Sequence, residues 1–174
     1  MKRDYVEIGG VKWATMNVGA EKETDFCLYF QHGEIQGYQH LTNLCKFIKK
    51  PKAVCDSVQA YWGDNWRMPT LEDFESLLSA TTSEWITDYQ GSGVSGNLFT
   101  DKTDNSKKLF FPACGLCLNG SVYYVGECGC YWSSSIYDYN VDGAWGLGFN
   151  CYNVDMGINN RCYGFVLRGV LSDK

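Results

Sequence analysis

Proline is scarce in this 174-residue chain, at 3 residues against 19 glycines. That balance suits many short strands joined by glycine-rich turns. No apolar run approaches the roughly twenty residues of a membrane-spanning helix, so membrane insertion is not expected. The opening MKRDYVEIGG is charged but lacks the apolar stretch of a leader, so no signal peptide is expected within it. A chain not exported by that route, a chain whose leader lies upstream and a virion protein released by lysis would all read this way. Positive charge is not concentrated either. The formal net charge is −5 and the longest basic cluster is Lys49-Lys50-Pro51-Lys52, which argues against nucleic acid as the main partner. Histidine is limited to His32 and His40.

The sharpest absence is local. From Cys128 to Val170 there is no Lys, Glu or Gln, and apart from Lys174 every one of these residues lies before that window. Acid enters the window only as Asp138, Asp142 and Asp155, and base only as Arg161 and Arg168. Solvent exposure does not cause this, because a water-facing surface tolerates Lys and Glu better than Cys or Ile. Codon arithmetic can. Randomising the two adenines of an AAC asparagine codon yields Asn, Tyr, Asp, Gly, Cys, Ser, Ile, Val and Arg among its products. It never yields Lys, Glu, Gln, Trp or Met. The non-core positions Cys130, Ile136, Asp138, Asp142, Gly146, Gly148, Cys151, Asp155, Gly157, Ile158 and Cys162 fit that alphabet. An exposed Cys in such a set requires neither a disulfide nor a metal.

What is present reads as one domain over 1–174. Residues up to about 110 form the scaffold, and about 111–170 form a C-terminal segment that carries a variable surface. Tyr5 to Ile8 and Val11 to Ala14 flank Gly9-Gly10 as a hairpin. Asp25 to Phe30 reads as a strand or an aromatic-rich loop, and Gln31 to Lys52 as an irregular excursion. Ala53 to Tyr61 has helical spacing. A clearer helix follows Pro69, with Thr70 as cap, Glu72 and Asp73 in the first turn, and Leu71, Phe74, Leu77 and Leu78 on one face. The last third is strand-like. Trp145, Leu147 and Phe149 alternate with Gly146, Gly148 and Asn150, while Val154 and Met156 alternate with Asn153, Asp155 and Gly157. Alternation places the large apolar set inside and the small or polar set outside. Gly164 to Val170 reads as one closing strand.

Other chemistries have weaker support in the residues. Cys114-Gly-Leu-Cys117 with Cys128-Gly-Cys130 has some likeness to a zinc set, although a single intervening residue is uncommon there. The alternative is thiols that are free or opportunistically bridged. His32 or His40 with a Cys would make a nucleophile pair, but no motif couples them, and surface histidines are the simpler reading. Gly91 to Gly96 reads as a turn rather than a phosphate loop, because no helix signal follows. Asn140-Val141-Asp142 lacks the paired carboxylates of a calcium site. Tyr137, Tyr139, Trp145, Tyr152 and Tyr163 suit a sugar platform, a general recognition surface or the core.

Five stretches carry a resemblance across nearly the whole chain: Val11-Lys-Trp-Ala-Thr-Met-Asn-Val-Gly19, Tyr61-Trp-Gly-Asp-Asn-Trp-Arg-Met-Pro-Thr70, Phe110-Phe-Pro-Ala-Cys-Gly115, Tyr131-Trp-Ser-Ser-Ser135 and Gly164-Phe-Val-Leu-Arg168. Together they resemble the bacteroidal major-paralogous-domain (FISUMP-type) proteins, which look like relatives of the C-type lectin and formylglycine-generating-enzyme fold. The family usually has Pro after the arginine, where this chain has Gly169. The resemblance implies an α+β, C-type lectin-like fold with two helices packed on a small twisted antiparallel sheet and long irregular loops. Members of this fold are targets of diversity-generating retroelements, which rewrite template adenines in a C-terminal coding segment.

The expectation is a non-enzymatic display protein of a phage virion or bacterial cell surface, with no cofactor and no metal, that binds a protein or glycan ligand on a target cell. Its contact surface is expected on the outer face of Ile136 to Tyr163. Asp138, Tyr139, Asn140 and Asp142 belong to it in the first loop. Gly146, Gly148, Asn150, Cys151, Asn153, Asp155, Gly157, Asn159 and Asn160 follow along the strands. Cys162 and Tyr163 come last, and Cys117, Cys128 and Cys130 stand at the margin. The alternatives are a non-diversified carbohydrate-binding surface domain and an enzyme of the formylglycine-generating type.

Overall fold

The computed structural model describes residues 3–39, 55–63 and 65–172. The chain opens with β1 (Tyr5–Ile8) and β2 (Val11–Asn17), joined through Gly9 and Gly10, both in the left-handed region that this tight turn requires. Next come β3 (Tyr29–Gln31), β4 (Gly37–Tyr38), α1 (Ser57–Trp62), β5 (Trp66–Arg67) and α2 (Leu71–Ala80). The strands that follow, with a 3-10 turn at Tyr89–Gly91 after the first, are β6 (Thr81–Ile86), β7 (Gly96–Asp101), β8 (Lys108–Pro112), β9 (Leu116–Leu118), β10 (Ser121–Tyr123), β11 (Cys128–Ile136), β12 (Gly143–Asn150), β13 (Val154–Asn160), β14 (Gly164–Phe165) and β15 (Arg168–Leu171).

The expected α+β arrangement of two helices on one small sheet is overturned. Among the described residues strands hold 47% and helices 12%, and the strands form four sheets, ordered β1-β2-β15-β5, β10-β9-β14-β3-β4, β11-β12-β13 and β6-β7-β8. The helix signals themselves are genuine. Thr70 accepts from the Asp73 amide at 3.2 Å, and Asp73 accepts from the Thr70 amide at 2.8 Å, a reciprocal cap that starts α2. Asp56 caps α1 by accepting from Gln59 N at 2.9 Å. Yet α1 has 6 residues and α2 has 10. The start of the expected first helix, Ala53 and Val54, lies outside the described residues. The expected closing strand is also two strands in different sheets: β14 pairs with β3 and β9, and β15 with β2 and β5. These pairings join distant parts of the chain, and a local pattern carries no trace of them.

Two buried clusters lie between the sheets. One gathers Trp13, Phe74, Phe111, Tyr131, Leu147 and Phe149, and the other Phe30, Val58, Trp132, Phe165 and Leu167. Each large side chain contributes about 1.5–3 kcal/mol of burial. The arginine of the last motif, Arg168, is fully buried where they meet. It donates to Ala14 O at 3.0 Å and Phe110 O at 2.9 Å and stacks 4.4 Å from the Phe111 ring. Gly169 lies under Trp62, where a Cβ would come within 2.4 Å of the ring.

Candidate ligand-binding face

The three-stranded sheet β11-β12-β13 sorts its residues by side. Cys128 stands opposite Asn150, and Cys130 opposite Gly148. Gly148 stands opposite Asp155, and Gly146 opposite Gly157. These residues share one side of the sheet. The other side carries Tyr131, Leu147 and Phe149, all buried, with Val154 and Met156 packed against them. The expected alternation therefore holds where it matters most. Trp145 is only half-buried, its ring 6.0 Å from that of Tyr137. Trp132 is fully buried in the second cluster, stacked on Phe165 at 4.1 Å.

The outward side holds a depression of about 340 Å³ lined by Cys128, Gly129, Cys130, Gly146, Gly148, Phe149, Asn150, Asn153, Asp155, Met156, Gly157 and Asn159. All but Gly129, Phe149 and Met156 are residues that the sequence placed on the contact surface. Cys128 and Cys130, expected at the margin, lie within it. Next to it runs a groove of about 530 Å³ lined by Trp85, Tyr124, Gly126, Glu127, Cys128, Asn150, Cys151 and Tyr152. Trp85, Tyr124, Gly126 and Glu127 were missed by the sequence reading. They come from β6 and from the turn after β10, and only inter-sheet packing brings them here. The adjacent Tyr123 and Tyr124, both exposed, were the one available signal.

Other expected contact residues lie elsewhere. Cys117 is fully buried on β9, so it offers no contact surface. Gly146 is buried although it borders the depression. Ile136 is half-buried at the end of β11, while Asp138, Tyr139, Asn140 and Asp142 are exposed in the following loop. Asn160, Cys162 and Tyr163 belong to the end of β13 and the turn after it. Apart from Gly146, none of these lines the depression or the groove. Arg161 ties that loop to that turn: its amide donates to Asp142 O at 2.9 Å, and its guanidinium to Val141 O at 3.0 Å.

The thiols differ sharply in environment. The Cys130 thiol donates toward Cys128, which lowers the Cys128 pKa against the opposing effects of burial and Glu127. The same hydrogen bond, with burial and the neighbouring sulfur charge, raises that of Cys130. Cys114 is buried with its sulfur 3.4 Å from that of Cys27. Among the described residues no three of His, Cys, Asp and Glu come together as metal ligands.

His32 is not the surface histidine expected. It is 1% exposed, its Nε2 is 2.9 Å from Ser133 O, and its ring stands on that of Trp132 at 5.2 Å. Burial, with the Arg161 charge, lowers its pKa to about 4. His40 and Cys45 lie outside the described residues. No helix among the described residues is long and apolar enough to cross a membrane.

Comparison with protein-family models, with curated proteins and with solved structures gives no match.

Proposed function

We propose that the chain is a non-enzymatic ligand-binding protein whose C-terminal segment is varied by a retroelement, displayed on a phage virion or bacterial surface to capture a ligand on a target cell. One observation carries the reading. Nine of the expected contact residues, all within the rewritten-adenine alphabet, line the outward depression, while Trp132 and Met156, which this alphabet cannot produce, occupy supporting positions. Trp132 is fully buried, and Met156 packs against the core from the opposite side of β13.

The glycines support the same division. A Cβ at Gly148 would meet nothing nearer than 4.0 Å, and one at Gly157 nothing nearer than 3.8 Å. Both positions admit other side chains. At Gly129 and Gly164, which the sequence reading left out of the contact set, a Cβ would meet a neighbour at 2.1 and 2.8 Å. Gly146 is the exception, with a Cβ 3.0 Å from Tyr131 O, and its freedom is correspondingly narrower. Tyr and Asn on such a face supply contact area with few rotors and both donor and acceptor groups.

The experiment is to read the gene's surroundings and then exchange the face. A near-copy of the 3′ coding segment, differing mainly at adenines and lying beside a reverse transcriptase, is expected. Exchanging Gly148, Asn150, Asn153, Asp155, Gly157 and Asn159 for another Asn/Tyr/Ser set is expected to leave folding intact and change ligand choice. Absence of the near-copy, with ligand binding unmoved by the exchange, would refute the proposal. The rings of Trp85, Tyr124 and Tyr152 along the groove favour, as a second reading, a non-diversified carbohydrate-binding domain.

A further inference from the structure

We propose that the groove beside the sheet captures a basic side chain, lysine or arginine, of a protein ligand. This rests on the binding reading above and names the chemistry of the partner. Three aromatic residues, Trp85, Tyr124 and Tyr152, line the groove together with the acidic residue Glu127. A cation is attracted to aromatic ring faces by their quadrupole, and a carboxylate beside the rings adds direct charge complementarity. Asp155 lines the adjoining depression, which shares Cys128 and Asn150 with the groove. No lysine or arginine is among the described residues that line either one. An anionic ligand would meet two carboxylates and no compensating charge on a chain whose net charge is already −5. A cationic group meets the reverse.

The wall on the scaffold side is held in place. Tyr124 has φ +60°, an uncommon conformation for a bulky residue. Its carbonyl accepts from Glu127 N at 3.0 Å and Cys128 N at 3.1 Å, and Gly126 N donates to Ala113 O at 2.7 Å. Such strain persists only where the surroundings over-determine it, and it concentrates at binding sites. Trp85 and Glu127 are also residues that rewriting an AAC codon never produces. The groove therefore joins a constant wall, suited to one recurring feature of ligands, to a face that changes from variant to variant.

The test is an NMR titration of isotope-labelled protein with N-acetyl-arginine amide, following the Trp85 indole and the Glu127 amide. The uncharged isostere N-acetyl-citrulline amide and methyl glucoside serve as comparisons. Glu127 is exposed, so Glu127→Gln leaves the fold in place. The arginine amide is expected to shift both signals with millimolar affinity. Its binding should weaken roughly fivefold in Glu127→Gln and fall with added salt. The citrulline amide and the glucoside should leave the signals unmoved. Equal shifts with the citrulline amide, or shifts with the glucoside in place of the arginine amide, overturn the proposal. So does the absence of any shift up to ~50 mM. That last result leaves the binding reading standing, because exchange of the β12 and β13 positions tests it separately.

Discussion

Gly129 lies directly across from Phe149 in the β11–β12 ladder, and the Phe149 ring occupies the space a Gly129 side chain would need, 2.1 Å from its missing Cβ. Gly129→Ala therefore forces the ring out of the core and should destabilise the protein by about 1–3 kcal/mol. Gly157→Ala, on the next strand but one, should stay within about half a kcal/mol. Urea unfolding of the two variants checks the contrast. Equal effects would mean that glycine on this sheet is not sorted by the space around it.

Arg168 should be irreplaceable by lysine. Its guanidinium reaches Ala14 O and Phe110 O together while its Cζ sits over the Phe111 ring. An ammonium group cannot reproduce that fork or the stacking. Arg168→Lys leaves a carbonyl without its donor, at about 1–3 kcal/mol, and brings a more strongly hydrated charge into the core. Thermal unfolding should show a clear loss for this nominally conservative change, and an unchanged midpoint would contradict it.

Part of this fold is legible in the sequence because its cause is local. The Thr70 cap, the Gly9-Gly10 turn and the alternation through Leu147 and Phe149 each depend on a few neighbouring residues, and each is found as expected. The four-sheet architecture has no such cause. Arg168 aligns with Asn17, and Phe165 with Phe30, because distant segments meet, and no periodicity in either segment announces its partner. The same holds for the site. The depression gathers residues from adjacent strands of one meander, so codon alphabet and alternation point to it. The groove borrows Trp85 from another sheet. His32 is buried for a similar reason: its polar sequence neighbours give no sign that it ends against Trp132.

The buried His32 makes stability depend on pH. Its folded pKa of about 4 lies below the ordinary 6.5, so between these values the unfolded chain binds the proton and the folded chain does not. The contribution is fully present above pH 6.5. It is lost as pH falls through that window toward 4, to a total of about 3 kcal/mol. His32→Gln, which does not titrate there, should flatten that part of the profile. Chemical denaturation at a series of pH values checks it, and a profile of equal slope in both proteins would refute it.

The thiols should react in an order set by their surroundings. Cys128 is expected to be alkylated faster than Cys130 near neutral pH, because the thiolate is the nucleophile and the Cys130 hydrogen bond favours it at Cys128. Cys130→Ser should retain part of that effect, and Cys130→Ala should slow Cys128. Cys27, Cys114 and Cys117, all buried, should stay protected until the protein unfolds. Peptide mapping after timed iodoacetamide treatment gives the order directly.

The most direct measurement compares two libraries made with the same NNC codon mixture. One randomises Gly148, Asn150, Asn153, Asp155, Gly157 and Asn159 together. The other randomises Gly129, Tyr131, Leu147 and Phe149. Surface display with protease challenge reads the fraction that folds. Most members of the first library should survive and nearly all of the second should be cut. Comparable survival in both, or collapse of the first, would contradict the separation of a rewritable face from a fixed interior.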